Sequence, residues 1–123
     1  MDNAQIRNLE PKPFFDWFTT ISEIPRPTYH EAGIIAFLQK FAAERSLFCD
    51  TDEKGNTLMR VPATPGYEEQ PMILFQAHLD IVSATEPGKT FDFTTEPIRM
   101  QIRGDRIVTE GTTLGADNGV GVA

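Results

Sequence analysis

The chain has 123 residues, 40% of them hydrophobic, which is enough to bury one sizeable core and too few for two domains. Its 18 acidic residues outnumber 11 basic ones for a formal charge of -7, and no basic cluster exists to track a phosphate backbone or an anionic bilayer, which argues against nucleic acid and membrane partners. The N-terminus has no charged-then-apolar signal pattern, no apolar run approaches the ~20 residues that span a bilayer, and the single cysteine, Cys49, cannot form an internal disulfide, so a cytoplasmic chain is expected.

Residues 1–10 are polar and read as frayed or extended. Pro11 and Pro13 open the first predicted helix, where a missing N–H is tolerated, and Phe14, Trp17, Phe18 and Ile21 follow at helical spacing as a core face. Pro25-Arg26-Pro27 ends it, because each proline biases the preceding residue away from αR; Arg26 reads as solvated or paired with a nearby acid. A second helix is predicted over residues 28–46, with Thr28 and Glu31 at capping-box spacing and Ile34, Ile35, Phe37, Leu38 and Phe41 as its apolar stripe. His30, in its first turn, reads as a surface residue. Residues 48–51 and 57–61 are predicted to pair as a hairpin around Gly55-Asn56, with Cys49 as a small buried hydrophobe. Asp50-Thr51-Asp52-Glu53-Lys54-Gly55 has the first, third and sixth residues of a calcium loop, but Lys54 takes the fifth place and Val61 the twelfth, so a solvated turn is expected.

The chain is organised around Met72-Ile73-Leu74-Phe75-Gln76-Ala77-His78-Leu79-Asp80. This apolar run follows a polar loop and Pro71, which predicts a buried strand over residues 72–77 with His78 and Asp80 on one face at its C-terminal end. In open α/β sheets that edge is where ligands bind. Residues 81–97 form a long irregular stretch, either a functional loop or lid or a surface excursion. Residues 98–102 and 106–109 alternate apolar with polar across Gly104-Asp105, a hairpin signal. The glycine-rich Gly111-Thr112-Thr113-Leu114-Gly115-Ala116-Asp117-Asn118-Gly119 then leads into Val120-Gly121-Val122-Ala123, which reads as the first turn of a buried helix and predicts a truncated protein or domain. A dinucleotide loop is excluded by the missing third glycine, and a serine hydrolase by the lack of any Gly-x-Ser-x-Gly around Ser83.

A hydrolytic metal site needs neutral imidazole and carboxylate donors, an acceptor that holds each imidazole, and an open position for water. His78 supplies an imidazole, and Asp80 can accept a hydrogen bond from its other ring nitrogen, which makes Asp80 a support rather than a ligand. Asp117, between Gly115 and Gly119, offers a carboxylate able to bridge two ions.

With these residues in place, the chain resembles the dizinc metallopeptidases of the M20 clan, and more closely their aminoacylhistidine dipeptidase (cytosolic Xaa-His dipeptidase) subgroup, over nearly its whole length. Ile24-Pro25-Arg26-Pro27-Thr28-Tyr29-His30-Glu31 is similar to the subgroup's lead into its second helix, and Gly55-Asn56-Thr57-Leu58 to its hairpin. Gln76-Ala77-His78-Leu79-Asp80-Ile81-Val82 is similar to its first metal motif, with Ile81 where methionine is common. The segment 111–119, preceded by Asp92-Phe93-Thr94 and a hairpin, resembles the bridging-aspartate motif. The resemblance implies an α/β fold, the N-terminal part of a zinc-peptidase catalytic domain with two helices and a mixed β-sheet. Residues 1–123 would hold only that part, without the rest of the catalytic domain and without the lid and dimerisation domain. It also implies that His78 binds one Zn2+, that Asp80 is the catalytic residue orienting His78, and that Asp117 bridges two Zn2+ ions, Co2+ or Mn2+ being alternatives. The Asp117-Asn118 peptide is expected to be cis.

For the full-length protein the resemblance implies a homodimeric dipeptidase acting on small peptides, of Xaa-His or broad preference, in which a metal-activated water attacks the carbonyl and a glutamate outside this chain is the base. The fragment alone is expected to be inactive and to bind zinc weakly. Two alternatives stay open: a non-catalytic α/β binding or assembly module, and another M20-type hydrolase such as a tripeptidase, carboxypeptidase or deacylase. His78, Asp80 and Asp117 handle metal and water rather than a substrate side chain, so they do not separate these.

Overall fold

In the computed structural model, which describes residues 3–123, the chain opens with a short helix, α1 (Ala4–Arg7), where a frayed or extended arm was expected. Two side chains that look unremarkable in sequence explain it. Ile6 is 0% exposed in the core, and buried Asn3 donates from Nδ2 to the Ile98 carbonyl (3.0 Å) while its Oδ1 accepts from the Met100 amide (2.8 Å). The next helix, α2 (Lys12–Ser22), has a proline in its first turn as predicted, and buries Phe18 and Ile21. Phe14 stacks on Phe18 at 6.0 Å between ring centroids.

Helix α3 (Ala32–Glu44) is shorter than predicted because residues 28–31 stay outside it. Tyr29 takes a positive φ of 70°, the Glu31 carboxylate accepts from the Tyr29 amide (2.9 Å), and the Thr28 hydroxyl is committed elsewhere, so no capping box forms. His30 is exposed, as read from the sequence.

The chain divides into two units, one comprising residues up to Ile34 together with Ala77–Ala123, the other Ile35–Gln76. Within the second unit, β1 (Phe48–Thr51) and β2 (Thr57–Arg60) pair antiparallel with Phe48 opposite Arg60 and Thr51 opposite Thr57. Cys49 is only half-buried. The Asp52 carboxylate closes the turn by accepting from the Lys54 and Asn56 amides (both 2.9 Å) and from Asn56 Nδ2 (2.8 Å), which makes it a turn support rather than a cation ligand.

The predicted strand over residues 72–77 does not form. Met72, Ile73, Leu74 and Phe75 are each at least three-quarters exposed and no strand is assigned there. A strand is a property of pairing, and among the described residues nothing pairs with this run, so apolar content alone does not order it.

In the first unit, β3 (Met100–Arg103) and β4 (Arg106–Thr109) form the second predicted hairpin, Met100 opposite Thr109. The expected mixed sheet is therefore two separate antiparallel pairs, supplemented by isolated bridges, parallel between Pro27 and Ile81 and antiparallel between Thr85 and Thr112. The α/β composition stands. Residues 81–97 carry no helix or strand but are tied down, since Asp92 accepts from the Thr94 amide and hydroxyl and from the Thr95 hydroxyl. Phe91 and Phe93, edge to face at 4.7 Å, pack on the core of Ile6, Phe18, Ile81, Ile98 and Met100. The terminal apolar residues do end a helix, α4 (Ala116–Val122), which is kinked at Asp117 and Asn118. No described helix is long and apolar enough to cross a membrane.

Because Ile6 is fully buried, Ile6→Ala should destabilise the chain by about 2–5 kcal/mol, read from urea denaturation. A change below ~0.5 kcal/mol, typical of a surface position, would restore the reading of a frayed N-terminus.

Candidate metal centre

The group that organises the first unit is a buried cation. Arg26 is 2% exposed, so of the two readings, solvated or paired with a nearby acid, solvation fails, while the charge of Asp80 does act on it. Its Nε donates to the Ile21 carbonyl (3.3 Å), Nη1 to the Leu79 carbonyl (2.7 Å) and Nη2 to the Gly115 carbonyl (3.3 Å). Its own carbonyl accepts from the Ile81 amide (3.0 Å). Burial lowers the guanidinium's pKa, and the charge of Asp80 acts in the opposite direction. One side chain thus joins the end of α2, the residue before Asp80 and the loop before Asp117.

Gly115 and Gly119 make room for this cation. A Cβ on Gly119 would lie 2.9 Å from Arg26 Nη2 and 3.2 Å from Phe18 Cε2. One on Gly115, which has a φ of 73°, would lie 3.0 Å from Ile81 Cγ2. At Gly115 the positive φ favours glycine, and at Gly119 the requirement is space.

On this frame His78, Asp80 and Asp117 meet. His78 Nδ1 lies 3.0 Å from Asp80 Oδ1 and 3.0 Å from the Asp80 carbonyl, and His78 Nε2 lies 2.9 Å from Asp117 Oδ1, across 39 positions of sequence. The Thr28 hydroxyl donates to Asp80 Oδ2 at 2.6 Å. Sequence reasoning missed Thr28 because the capping-box pattern explained it locally; no local signal distinguishes the two roles. The Asp117-Asn118 peptide is cis, as the resemblance implied.

The electrostatics follow from the contacts. The bond to Asp117, then that to Asp80, raises the His78 pKa above its ordinary value. The Thr28 hydroxyl, then His78, holds Asp80 below the usual carboxylate range. The imidazole is thus stabilised in its protonated form, each ring N–H facing a carboxylate.

The donor set fits a divalent ion in part. Asp80 occupies Nδ1, which leaves Nε2 opposite the Asp117 carboxylate, whose side chain is 95% exposed, and an ion there would replace the ring proton. Among the described residues no group of three or more His, Cys, Asp or Glu side chains is placed to hold a metal ion, so these two donors fall short of the three protein ligands usual for catalytic zinc.

No family model matches the chain. A cytosol non-specific dipeptidase from Escherichia coli (strain K12) is 40% identical over 120 residues, covering 98% of this chain and 25% of that protein. The crystal structure of an aminoacylhistidine dipeptidase from Vibrio alginolyticus matches with a TM-score of 0.90 at 38% identity, over 95% of this chain and 24% of that one. The chain spans about a quarter of the length of these relatives.

Two predictions test the geometry. The His78 ring should titrate above an ordinary histidine by NMR, and Asp117→Asn should bring it down. A raised folded-state pKa means that the pairing stabilises the fold below the unfolded-state pKa and that this contribution is lost as pH rises through the folded one. Gly119→Ala should cost about 1–3 kcal/mol by overpacking against Arg26 and Phe18. Gly33→Ala in α3, whose nearest contact would be an ordinary 3.4 Å to Ile24 Cγ2, should be neutral or gain up to ~1 kcal/mol in helix propensity. Equal effects of the two in denaturant titrations would contradict the close packing at Gly119.

Proposed function

We propose, from the relation of this chain over nearly its whole length to cytosol non-specific and aminoacylhistidine dipeptidases, that it carries part of the metal site of a metal-dependent dipeptidase. The observation that carries the reading is the 2.9 Å approach of His78 Nε2 to Asp117 Oδ1 with Asp80 on the far side of the ring. Convergence of an imidazole and a carboxylate from distant segments, with the second ring nitrogen held by another carboxylate, is the arrangement a hydrolytic metal site requires.

In this reading His78 and Asp117 would hold the metal, zinc by the chemistry of the donors, and the Asp117 carboxylate could serve a second ion. When bound, the metal supplies a polarised peptide carbonyl and an acidified water. Asp80 keeps the proton of His78 on Nδ1 and so directs the Nε2 lone pair toward the site. Asp117, almost fully exposed, presents its carboxylate where a small peptide can approach. Loading requires His78 to lose the proton that Asp117 stabilises, so affinity rises with pH. The further ligands and the general base lie in the rest of a longer protein, which we read as a cytosolic homodimer acting on dipeptides, Xaa-His among them.

In that longer protein, His78→Ala should abolish hydrolysis of Xaa-His and other dipeptides and lower the zinc content found by elemental analysis. Normal rate and normal metal content would sink the assignment. The 123-residue chain alone should bind zinc weakly and turn over nothing; tight uptake of two zinc ions in calorimetry would show that the missing donors are not needed.

A further inference from the structure

Asp80 is held from more directions than a solvent-facing aspartate needs. On the backbone, the carbonyl before it (Leu79) accepts from Arg26 Nη1 and the amide after it (Ile81) donates to the Arg26 carbonyl. The parallel bridge between Pro27 and Ile81 runs the two segments side by side, which brings the Thr28 side chain within reach of Asp80. On the side chain, Oδ1 faces His78 Nδ1 at 3.0 Å while Oδ2 accepts from the Thr28 hydroxyl at 2.6 Å. An aspartate's terminal torsion is soft and roughly two-fold, so a fixed backbone alone does not aim Oδ1 at the imidazole. A second anchor on Oδ2 does.

We propose that Thr28 is a positioning residue of the metal centre, its hydroxyl fixing the Asp80 carboxylate so that Asp80 in turn fixes the ring and tautomer of His78. The proposal rests on the metal-site reading above and deepens it: the segment Arg26-Pro27-Thr28 sets the imidazole without touching the ion or the substrate. Arg26 holds the main chain around Asp80 and Thr28 holds its side chain. Groups that orient a ligating histidine from outside the ligand set commonly contribute 10- to 100-fold in metal affinity, and Thr28 acts one hydrogen bond further out, so the lower end, about ten-fold, is expected.

Thr28 is exposed, so Thr28→Val removes a hydroxyl without opening the core. The first readout is a Zn2+ titration of the chain followed through the His78 ring resonances, which resolves weak binding. Thr28→Val should raise the dissociation constant about ten-fold, and Thr28→Ser, which keeps the hydroxyl, should stay within about two-fold of the unaltered chain. The second readout needs no metal. At a pH where the ring is neutral, its 15N shifts should show the Nδ1-protonated tautomer in the unaltered chain and in Thr28→Ser, and a shift toward the Nε2-protonated form in Thr28→Val. A valine variant with unchanged zinc affinity and tautomer would overturn the proposal, as would a serine variant behaving like valine. If zinc fails to perturb His78 even in the unaltered chain, the functional reading falls by itself, and the tautomer alone then decides whether Thr28 positions His78.

Discussion

A buried guanidinium holding three backbone carbonyls is the constraint on which the rest of the site-bearing unit depends. Placing a charge inside is costly unless it is compensated, and Arg26 is compensated by the carbonyls of Ile21, Leu79 and Gly115 and by the neighbouring charge of Asp80. The interaction is asymmetric in the way buried polar contacts usually are. Each bond adds modestly, and the Ile21 and Gly115 carbonyls also accept from the Ile24 and Gly119 amides, so removing the arginine would leave the Leu79 carbonyl without its donor, at about 1–3 kcal/mol. An apolar residue of similar size could fill the volume; it could not place the Leu79 and Gly115 backbones together. What Arg26 contributes is therefore less stability than location, and the His78 and Asp117 side chains inherit that location.

Seen from the site, the imidazole of His78 lies between two carboxylates. Two carboxylates on opposite edges of an imidazole stabilise the imidazolium, and the same two carboxylates would serve, one as ligand and one as orienting group, once a cation replaced the proton on Nε2. The geometry is set beforehand by contacts outside the donor set, namely Thr28 on Asp80 and Arg26 on the main chain. A site preset in this way would need little rearrangement to take up a cation, which lowers the entropic cost.

The parts of this architecture that were legible in the sequence are those encoded locally. Aromatic spacing located α2, alternation around Gly104-Asp105 located the second hairpin, and the ligand-type residues at 78, 80 and 117 did converge. Misread features depend on what lies across space. Residues 72–77 have the composition of a central strand, yet strand formation needs neighbours that local composition does not report. Asn3 and Ile6 look like a polar tail until Ile98 and Met100 are brought against them from almost a hundred residues away. Thr28 satisfied a helix-capping pattern and served a carboxylate 52 positions on; Arg26 looked like a loop charge and proved to be core. For Asn3, Ile6, Thr28 and Arg26 a short-range rule was met by residues whose partners are long-range.

The spread of Arg26's partners also sets an order of events in the life of the chain. Its three acceptors are separated from it by 5, 53 and 89 positions, so during synthesis the guanidinium can find the first almost at once and the last only after residue 115 has been made. The added entropy of closing the longer loop over the shorter is small, about 0.5 kcal/mol, so the delay comes from translation rather than from thermodynamics. Until then at least one of its three acceptors is missing. Full burial of the guanidinium and the approach of His78 to Asp117 both need the segment around residue 115, and a chain interrupted before Gly115 would lose both together.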